Sequence, residues 1–326
     1  MPKRHSIPAL IQPPPLSTKN TGLAMNRQNY VGRFAPSPTG PLHLGSLLTA
    51  VASFLDAKKL GGEWLVRIED IDPPRIMPGA TDEILRVLEH YGLWWDRHLV
   101  YQSTQYEHYR EVITQLKNLG AIYPCSCSRK EISDIAHAGV EGPVYPGTCR
   151  HRQHGDVRAW RFQLPDQAFS FEDLIQGKQT YDLNQDLGDF IVQRADGLFA
   201  YQLAVVVDDA VAGVTHVIRG MDLVHSTPRQ VKLQDALDYP HPVYGHLPVI
   251  VNENGQKLSK QNMAAPIQMT AAAENWHLTL DLLGQQPPEE LARWPLQDII
   301  NWAIPRWDRS RIPASATIGL QHQTAQ

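Results

Sequence analysis

Apolar positions along this chain alternate between short strand-like runs and stretches with helical spacing, an alternation that predicts an α/β fold. Tyr30-Val-Gly-Arg-Phe34 is an apolar run stopped by the turn-forming Pro36-Ser-Pro-Thr-Gly40, so it reads as a short buried strand. Residues 44–60 carry apolar side chains at helical spacing, and Gly61-Gly62 closes them as a helix C-terminal signal. A second strand is predicted over 64–68, ended by Asp72-Pro-Pro. Helices are predicted over 81–92 and 104–120, each opening at a threonine and ending at a glycine. Strands alternating with helices imply a parallel sheet wound right-handed.

Residues 121–185 break that rhythm with cysteines, Gly and Pro turns and a short apolar stretch at 162–174, and read as an insertion between two halves of the sheet. The rhythm resumes with strands at 190–194 and 197–201, a helix at 202–212, a strand at 216–219 and a helix at 227–237. A last strand at 247–251 runs into Asn252-Glu-Asn-Gly255, a tight-turn signal. Beyond Lys260 the patterns are weakly helical, at 271–283 and 296–303. The expected organisation is therefore a tail at 1–29 and a nucleotide-binding domain in two halves, 30–120 and 186–262. An insertion at 121–185 separates the halves, and a short helical region at 263–326 follows. Trp94-Trp95 reads as core rather than as a base-stacking platform.

Composition adds little for most of the chain: 326 residues, 42% hydrophobic and 20% charged, is ordinary for a soluble protein. No apolar run approaches the roughly 18 residues that a membrane helix needs. The first 29 residues differ, with Lys3, Arg4, Lys19, Arg27, no acidic residue and Pro13-Pro14-Pro15. A disordered tail is expected there; the prolines oppose an amphipathic presequence, no signal-peptide core is present, and Met25 is a candidate start. A cytoplasmic location follows. The remaining residues hold 26 basic and 34 acidic side chains, a net charge of −8, which argues against a chain that only coats RNA but leaves room for a local basic groove. All three cysteines fall between Cys125 and Cys149. An odd count in one cluster suits metal ligation in a reducing compartment better than a disulfide framework. His137 and His151 are nearby candidates for a fourth ligand.

Candidate chemistry changes the picture most. A glycine-bearing turn between strand and helix directs backbone N–H groups and the positive helix end at one point, which suits a phosphate. The pattern Pro36-Ser37-Pro-Thr-Gly-x-x-His43-x-Gly45 supplies such a turn and an imidazole placed to donate to an α-phosphate under attack by a carboxylate. Gly45 would let adenine or ribose lie against the backbone. Alone, His43 reads equally as a capping or packing histidine. Far downstream, Lys257-Leu-Ser259-Lys260 follows a strand and a glycine turn, where two cations would grip a departing pyrophosphate. Alone, such lysines are ordinarily solvated; together and in this order, the two motifs are specific.

Arg33-Phe-Ala-Pro-Ser-Pro-Thr-Gly40, His43-Leu-Gly-Ser46, Arg67-Ile-Glu69-Asp70-Ile-Asp72-Pro and Lys257-Leu-Ser-Lys260 resemble the glutamyl branch of the class I aminoacyl-tRNA synthetases over about residues 30–265. That resemblance implies a doubly wound parallel sheet of Rossmann type with nucleotide at the carboxyl ends of its strands. Three departures point within the branch. Ser46 leads into Leu47-Leu-Thr-Ala where Ala-Arg-Thr is usual. Gln261-Asn262 follows Lys260, and about 65 residues remain, short for an anticodon-binding domain. All three are similar to the truncated paralogue family of glutamyl-Q tRNA(Asp) synthetases.

That family resemblance implies a ligase that activates glutamate with ATP and Mg2+, without tRNA, and transfers it to the wobble queuosine of tRNA(Asp). A compact glutamyl-tRNA synthetase charging the terminal ribose is the alternative. Pro36, Ser37, His43, Gly45, Ser46, Lys257, Ser259 and Lys260 would bind ATP, with His43, Lys257 and Lys260 catalytic. Cys125-x-Cys127-x17-Tyr145-x3-Cys149 resembles the family's zinc site, with Tyr145 as the fourth ligand, and implies one structural Zn2+ in a monomer. Charge sets the amino-acid pocket. Glutamate needs two cationic anchors and one anionic one, so Arg33 and Arg219 are candidates for its carboxylates and Glu69 for its ammonium. Tyr201 would donate its hydroxyl, with Phe34, Ala35, Pro36 and Ser37 supplying backbone. Asp70 and Asp72 are expected to orient Arg67 or Arg75.

Overall fold

Four consecutive buried residues, Val31–Phe34, form strand β1, and helix α1 (Leu44–Lys59) returns the chain across it. The computed structural model describes residues 30–152, 156–258 and 265–320. Helix α1 stops where expected. Gly61 takes φ 68°, and Gly62 lies where a Cβ would come within 2.5 Å of the Tyr30 carbonyl oxygen, so a side chain would wedge apart the join to β2. Strand β2 (Glu63–Ile68) pairs parallel with β1. After helix α2 (Ala80–His90), β3 (Val100–Tyr101) pairs parallel with β2.

Helix α3 (Tyr106–Asn118) leads into the inserted region. There β4 (Ile122–Cys125), helix α4 (Arg129–Ile135) and the hairpin β5 (His137–Gly139) with β6 (Gly142–Val144) precede β7 (Ala159–Phe162). A second hairpin joins β8 (Ala168–Asp173) to β9 (Gly177–Asp182). Strand β10 (Phe190–Gln193), expected to resume the parallel sheet, instead pairs antiparallel with β7, which also pairs with β4. The expected strand at 197–201 is replaced by one bridge, Phe199 to Gln193, and helix α5 (Tyr201–Ala212) begins at its last residue. Both sites carry apolar residues that suit either structure, and the β7 edge decides between them.

The parallel sheet resumes with β11 (His216–Gly220), helix α6 (Ser226–Leu237) and β12 (Val243–Leu247), which pairs parallel with β11. Strands β1 and β11 lie side by side: the Thr215 N–H donates to the Val31 carbonyl at 2.9 Å and the Val31 N–H to Thr215 Oγ1 at 2.9 Å. The winding therefore reverses between β1 and β11. That switch point opens a crevice at the carboxyl ends of the strands.

The last predicted strand divides at Pro248, leaving β13 (Val249–Val251). Helices α7 (Ala272–Leu282) and α8 (Leu296–Arg306) follow, then β14 (Thr317–Gly319), which pairs parallel with β13. Strand β14 was not predicted, since three residues are too few for a periodic signal. Helix α1 is buried nearly all round, and its Asp56 is a hub. The carboxylate accepts from Tyr30 Oη (2.5 Å), Trp307 Nε1 (2.9 Å) and Arg309 Nη1 (3.2 Å), tying the C-terminal region to the first strand and helix. Trp95 packs partly against this core but Trp94 is 61% exposed, contrary to the core reading, because neighbours in an extended loop face opposite ways. No helix among the described residues is long and apolar enough to cross a membrane.

Candidate active site and metal centre

The crevice at the switch point is a cavity of about 620 Å³. Every described residue predicted for ATP or glutamate lines it: Arg33 to Ser37, His43, Gly45, Ser46, Glu69, Tyr201, Arg219 and Lys257. Ser259 and Lys260 lie outside the described residues.

The side predicted for the nucleotide is built from the turn after β1. Backbone bonds from Glu69 N–H to the Pro36 carbonyl (3.0 Å) and from Met77 N–H to the Pro38 carbonyl (2.9 Å) fix that turn. His43 is the N-cap of α1, where its Nδ1 accepts the Ser46 N–H at 3.3 Å. His43 thus caps the helix and lines the cleft at once. With Nδ1 as acceptor, the neutral ring carries its proton on Nε2 and is a donor there. A Cβ at Gly45 would meet the His43 ring at 3.1 Å, so the glycine leaves the imidazole the room it occupies. Across the cleft, the chain turns after β13, and the Leu258 N–H returns to the Ile250 carbonyl at 2.8 Å. Lys257 Nζ pairs with Asp222 Oδ2 at 2.6 Å, both side chains half-exposed.

The side predicted for the amino acid is an ion cluster. Arg33 on β1 and Arg67 on β2, each 4% exposed, converge on Asp209 of α5. Arg67 Nη1 donates at 2.5 Å and Arg33 Nε at 3.4 Å. Arg67 also faces Asp208 (3.6 Å) and Glu69 (3.5 Å), while Asp208 accepts from Gln102 Nε2 (2.6 Å) and Tyr109 Oη (2.8 Å). Burial pushes Glu69 up to about 7 despite Arg67 and Arg33 nearby. Burial works against the Asp209 charge too, but Arg33 and Arg67 outweigh it and hold that carboxyl below the ordinary range. Tyr201, also raised by burial, stays a neutral donor.

Asp208 and Asp209 were missed in the sequence. Their signal was available: two adjacent carboxylates interrupt the apolar run Leu203-Ala-Val-Val-Val207, and buried carboxylates require partners. Asp72 pairs with Arg75 (2.5 Å) as expected, and also with Arg194 (3.3 Å). Asp70 does not orient either arginine; it accepts from the Ser103 N–H (2.8 Å) and Oγ (2.6 Å).

The inserted region brings the predicted metal ligands together. The sulfurs of Cys125, Cys127 and Cys149 lie within 4.8 Å of one another, with those of Cys127 and Cys149 3.3 Å apart. Tyr145 Oη sits 3.5 Å from Cys125 Sγ and from Cys127 Sγ, and accepts the Cys149 N–H at 2.9 Å. A tetrahedral ion with metal–sulfur bonds of about 2.3 Å separates its sulfurs by roughly 3.8 Å, so these donors fit one. Among the described residues no histidine joins the cluster, and His137 Nε2 is bonded to the Gln185 carbonyl at 3.0 Å. Arg161 adds positive charge beside the thiols, its Nε 3.3 Å from Cys125 Sγ and its guanidinium 4.0 Å over the Tyr145 ring.

Comparison with known proteins identifies the family and the fold. Residues 30–281 match the family model for the catalytic domain of class I tRNA synthetases (E and Q). The glutamyl-Q tRNA(Asp) synthetase of Dechloromonas aromatica (strain RCB) is 50% identical over 295 residues, 89% of this chain and 98% of that protein. Its counterpart in Chromobacterium violaceum is 49% identical over 292 residues, 89% of this chain and 97% of that one. Among solved structures, the glutamate tRNA ligase of Elizabethkingia meningosepticum, crystallised with its amino acid, superposes with a TM-score of 0.75 at 25% identity. That match covers 90% of this chain and 67% of the ligase.

Proposed function

The chain belongs to the class I tRNA synthetase family of the glutamyl and glutaminyl group, and from that premise we propose its reaction. It activates glutamate with ATP and transfers it to the queuosine base of tRNA(Asp). The observation that carries this reading is the cleft's charge pattern. Arg33 and Arg219 are buried cations and the Glu69 side chain is 9% exposed, the complement of two carboxylates and one ammonium on a single ligand. The near full-length similarity to glutamyl-Q tRNA(Asp) synthetases supports the acceptor.

In the first step the glutamate α-carboxylate attacks the α-phosphorus of ATP, forming glutamyl-adenylate and releasing pyrophosphate. The His43 Nε2–H, Lys257 and Lys260 stabilise the charge that builds on the α-phosphate and leaving group, with Mg2+ accompanying the nucleotide phosphates. Lys257 exchanges Asp222 for phosphate as the nucleotide arrives. Ser37, Gly45, Ser46 and Ser259 contact the nucleotide, while Tyr201 and the backbone from Phe34 to Ser37 border the glutamate. In the second step a hydroxyl of the queuosine cyclopentenediol attacks the activated carboxyl, and AMP departs. Activation does not wait for tRNA, as the resemblance to glutamyl-Q tRNA(Asp) synthetases implies. The enzyme is a cytoplasmic monomer, where three thiols stay reduced.

Cys125, Cys127, Cys149 and Tyr145 would hold zinc in a closed site, and the ion would cross-link the end of β4 and the turn after it to the loop between β6 and β7 without entering the chemistry. Bound zinc measured by elemental analysis is expected at about one per chain and near zero in Cys149→Ser, which also unfolds at lower temperature. Full zinc occupancy in that variant would remove the assignment.

Transfer of labelled glutamate to tRNA(Asp), with and without queuosine and with the 3′ end intact or truncated, tests the reaction. The expected label requires queuosine and survives 3′ truncation. Label that appears on tRNA(Glu) and is lost with its 3′ end would make the enzyme a compact glutamyl-tRNA synthetase.

A further inference from the structure

Arg219 differs from the other buried arginines of the site in having only neutral partners. Its Nε donates to His246 Nε2 (3.0 Å), Nη1 to Gln230 Oε1 (2.8 Å), and Nη2 to Thr227 Oγ1 (2.8 Å) and the Leu223 carbonyl (3.2 Å). Four of five N–H groups are thereby committed to the protein among the described residues, and the positive charge is left without an adjoining carboxylate. A substrate carboxylate would meet that charge through the remaining Nη1–H, not through a two-pronged fork.

A negative charge lies one ring away, at Asp173. His246, opposite Arg219 in the β11–β12 ladder and wholly buried, has Nδ1 at 2.5 Å from Asp173 Oδ2. The Asp173 side chain is also fully buried, at the end of β8 in the inserted region, and its Oδ1 accepts the N–H groups of Ile175 (3.0 Å), Gln176 (2.9 Å) and His246 (3.0 Å). A carboxylate at Nδ1 places the ring proton there and leaves Nε2 a lone pair for the arginine. A protonated ring would oppose N–H to N–H; burial drives His246 down to about 4, so it remains neutral.

We propose that Asp173 and His246 are positioning residues for amino-acid recognition: Asp173 fixes the His246 tautomer, and the imidazole aims Arg219 at a carboxylate of glutamate. The β8–β9 hairpin thus belongs functionally to the amino-acid pocket, although the metal cluster marks the same stretch of sequence as an insertion. This inference rests on the proposed activation of glutamate.

Glutamate-dependent pyrophosphate exchange reads it. His246→Leu removes the acceptor and is expected to raise KM for glutamate by about 20-fold or more while KM for ATP stays within about twofold. His246→Gln places an amide oxygen near the Nε2 position and is expected to restore KM for glutamate to within about fivefold of wild type. His246→Asn reaches only the Nδ1 position and is expected to behave like the leucine variant. Equal losses in all three, or a fall in kcat with both KM values unchanged, would show a merely structural histidine and overturn the proposal. Histidine 15N NMR of the wild-type protein decides the matter without relying on any variant that fails to fold. The expected signal at pH 7 is the Nδ1–H tautomer, and an Nε2–H ring sinks the relay. Absence of glutamate-dependent exchange in the wild type would instead refute the proposed function.

Discussion

Asp209→Ala is expected to cost about 3–5 kcal/mol of folding stability, the range for removing one partner of a buried ion pair. Two guanidiniums, Arg33 and Arg67, share that carboxylate, and both are 4% exposed. Asp208 and Glu69 would not take over. Asp208 already receives Gln102 and Tyr109, and burial pushes both Asp208 and Glu69 toward the protonated form. Asp209→Asn keeps an acceptor and should lose less. Equilibrium urea unfolding measures the difference, and a loss below about 1 kcal/mol would mean that the arginines find other partners. The alanine variant is also expected to bind glutamate poorly, since Arg33 loses the contact that holds it.

Glu69→Gln should raise KM for glutamate by about 100-fold or more, because a buried ammonium then faces a neutral amide in place of a carboxylate. ATP binding should change little, the carboxylate being on the amino-acid side. The same group sets a pH dependence in the wild type. With its pKa pushed up to about 7 by burial, Glu69 is protonated below that pH and offers no anion to the ammonium. Glutamate affinity is therefore expected to rise from pH 6 to pH 8 and then level off, by up to tenfold per unit below pH 7. The stability effect runs oppositely. Since the folded-state value is raised, the contribution of Glu69 to stability is fully present below the ordinary carboxylate range and lost as pH rises through about 7. Affinity is thus gained where the folded state is weakened. A Glu69→Gln variant that kept the wild-type pH profile would falsify the assignment of that titration to Glu69.

Other features divide by the distance over which their causes act. The strand, turn and helix around His43, the glycine stop after α1, and the tight turn before Lys257 depend on residues within a few positions of each other, so they were legible from the chain. The metal cluster was legible for a related reason. Thiols are rare and chemically distinct, and the four candidate donors fall between Cys125 and Tyr145 or just beyond, at Cys149. The strands assigned at 190–194 and 197–201 failed because an apolar run does not encode which edge it will join. Trp94 failed because exposure in a loop is set by what lies beneath it.

By itself, then, the sequence determined the alternating α/β framework, the turns proposed to bind nucleotide, the thiol cluster, and the candidate charges for a dicarboxylic amino acid. Only the tertiary structure decided which charges answer which. Asp209 meets Arg33 across 176 residues and Arg67 across 142, and Asp173 meets His246 across 73. A buried charge is tolerable only beside its partner, and folding alone brings partners that far apart in the chain to within hydrogen-bonding distance.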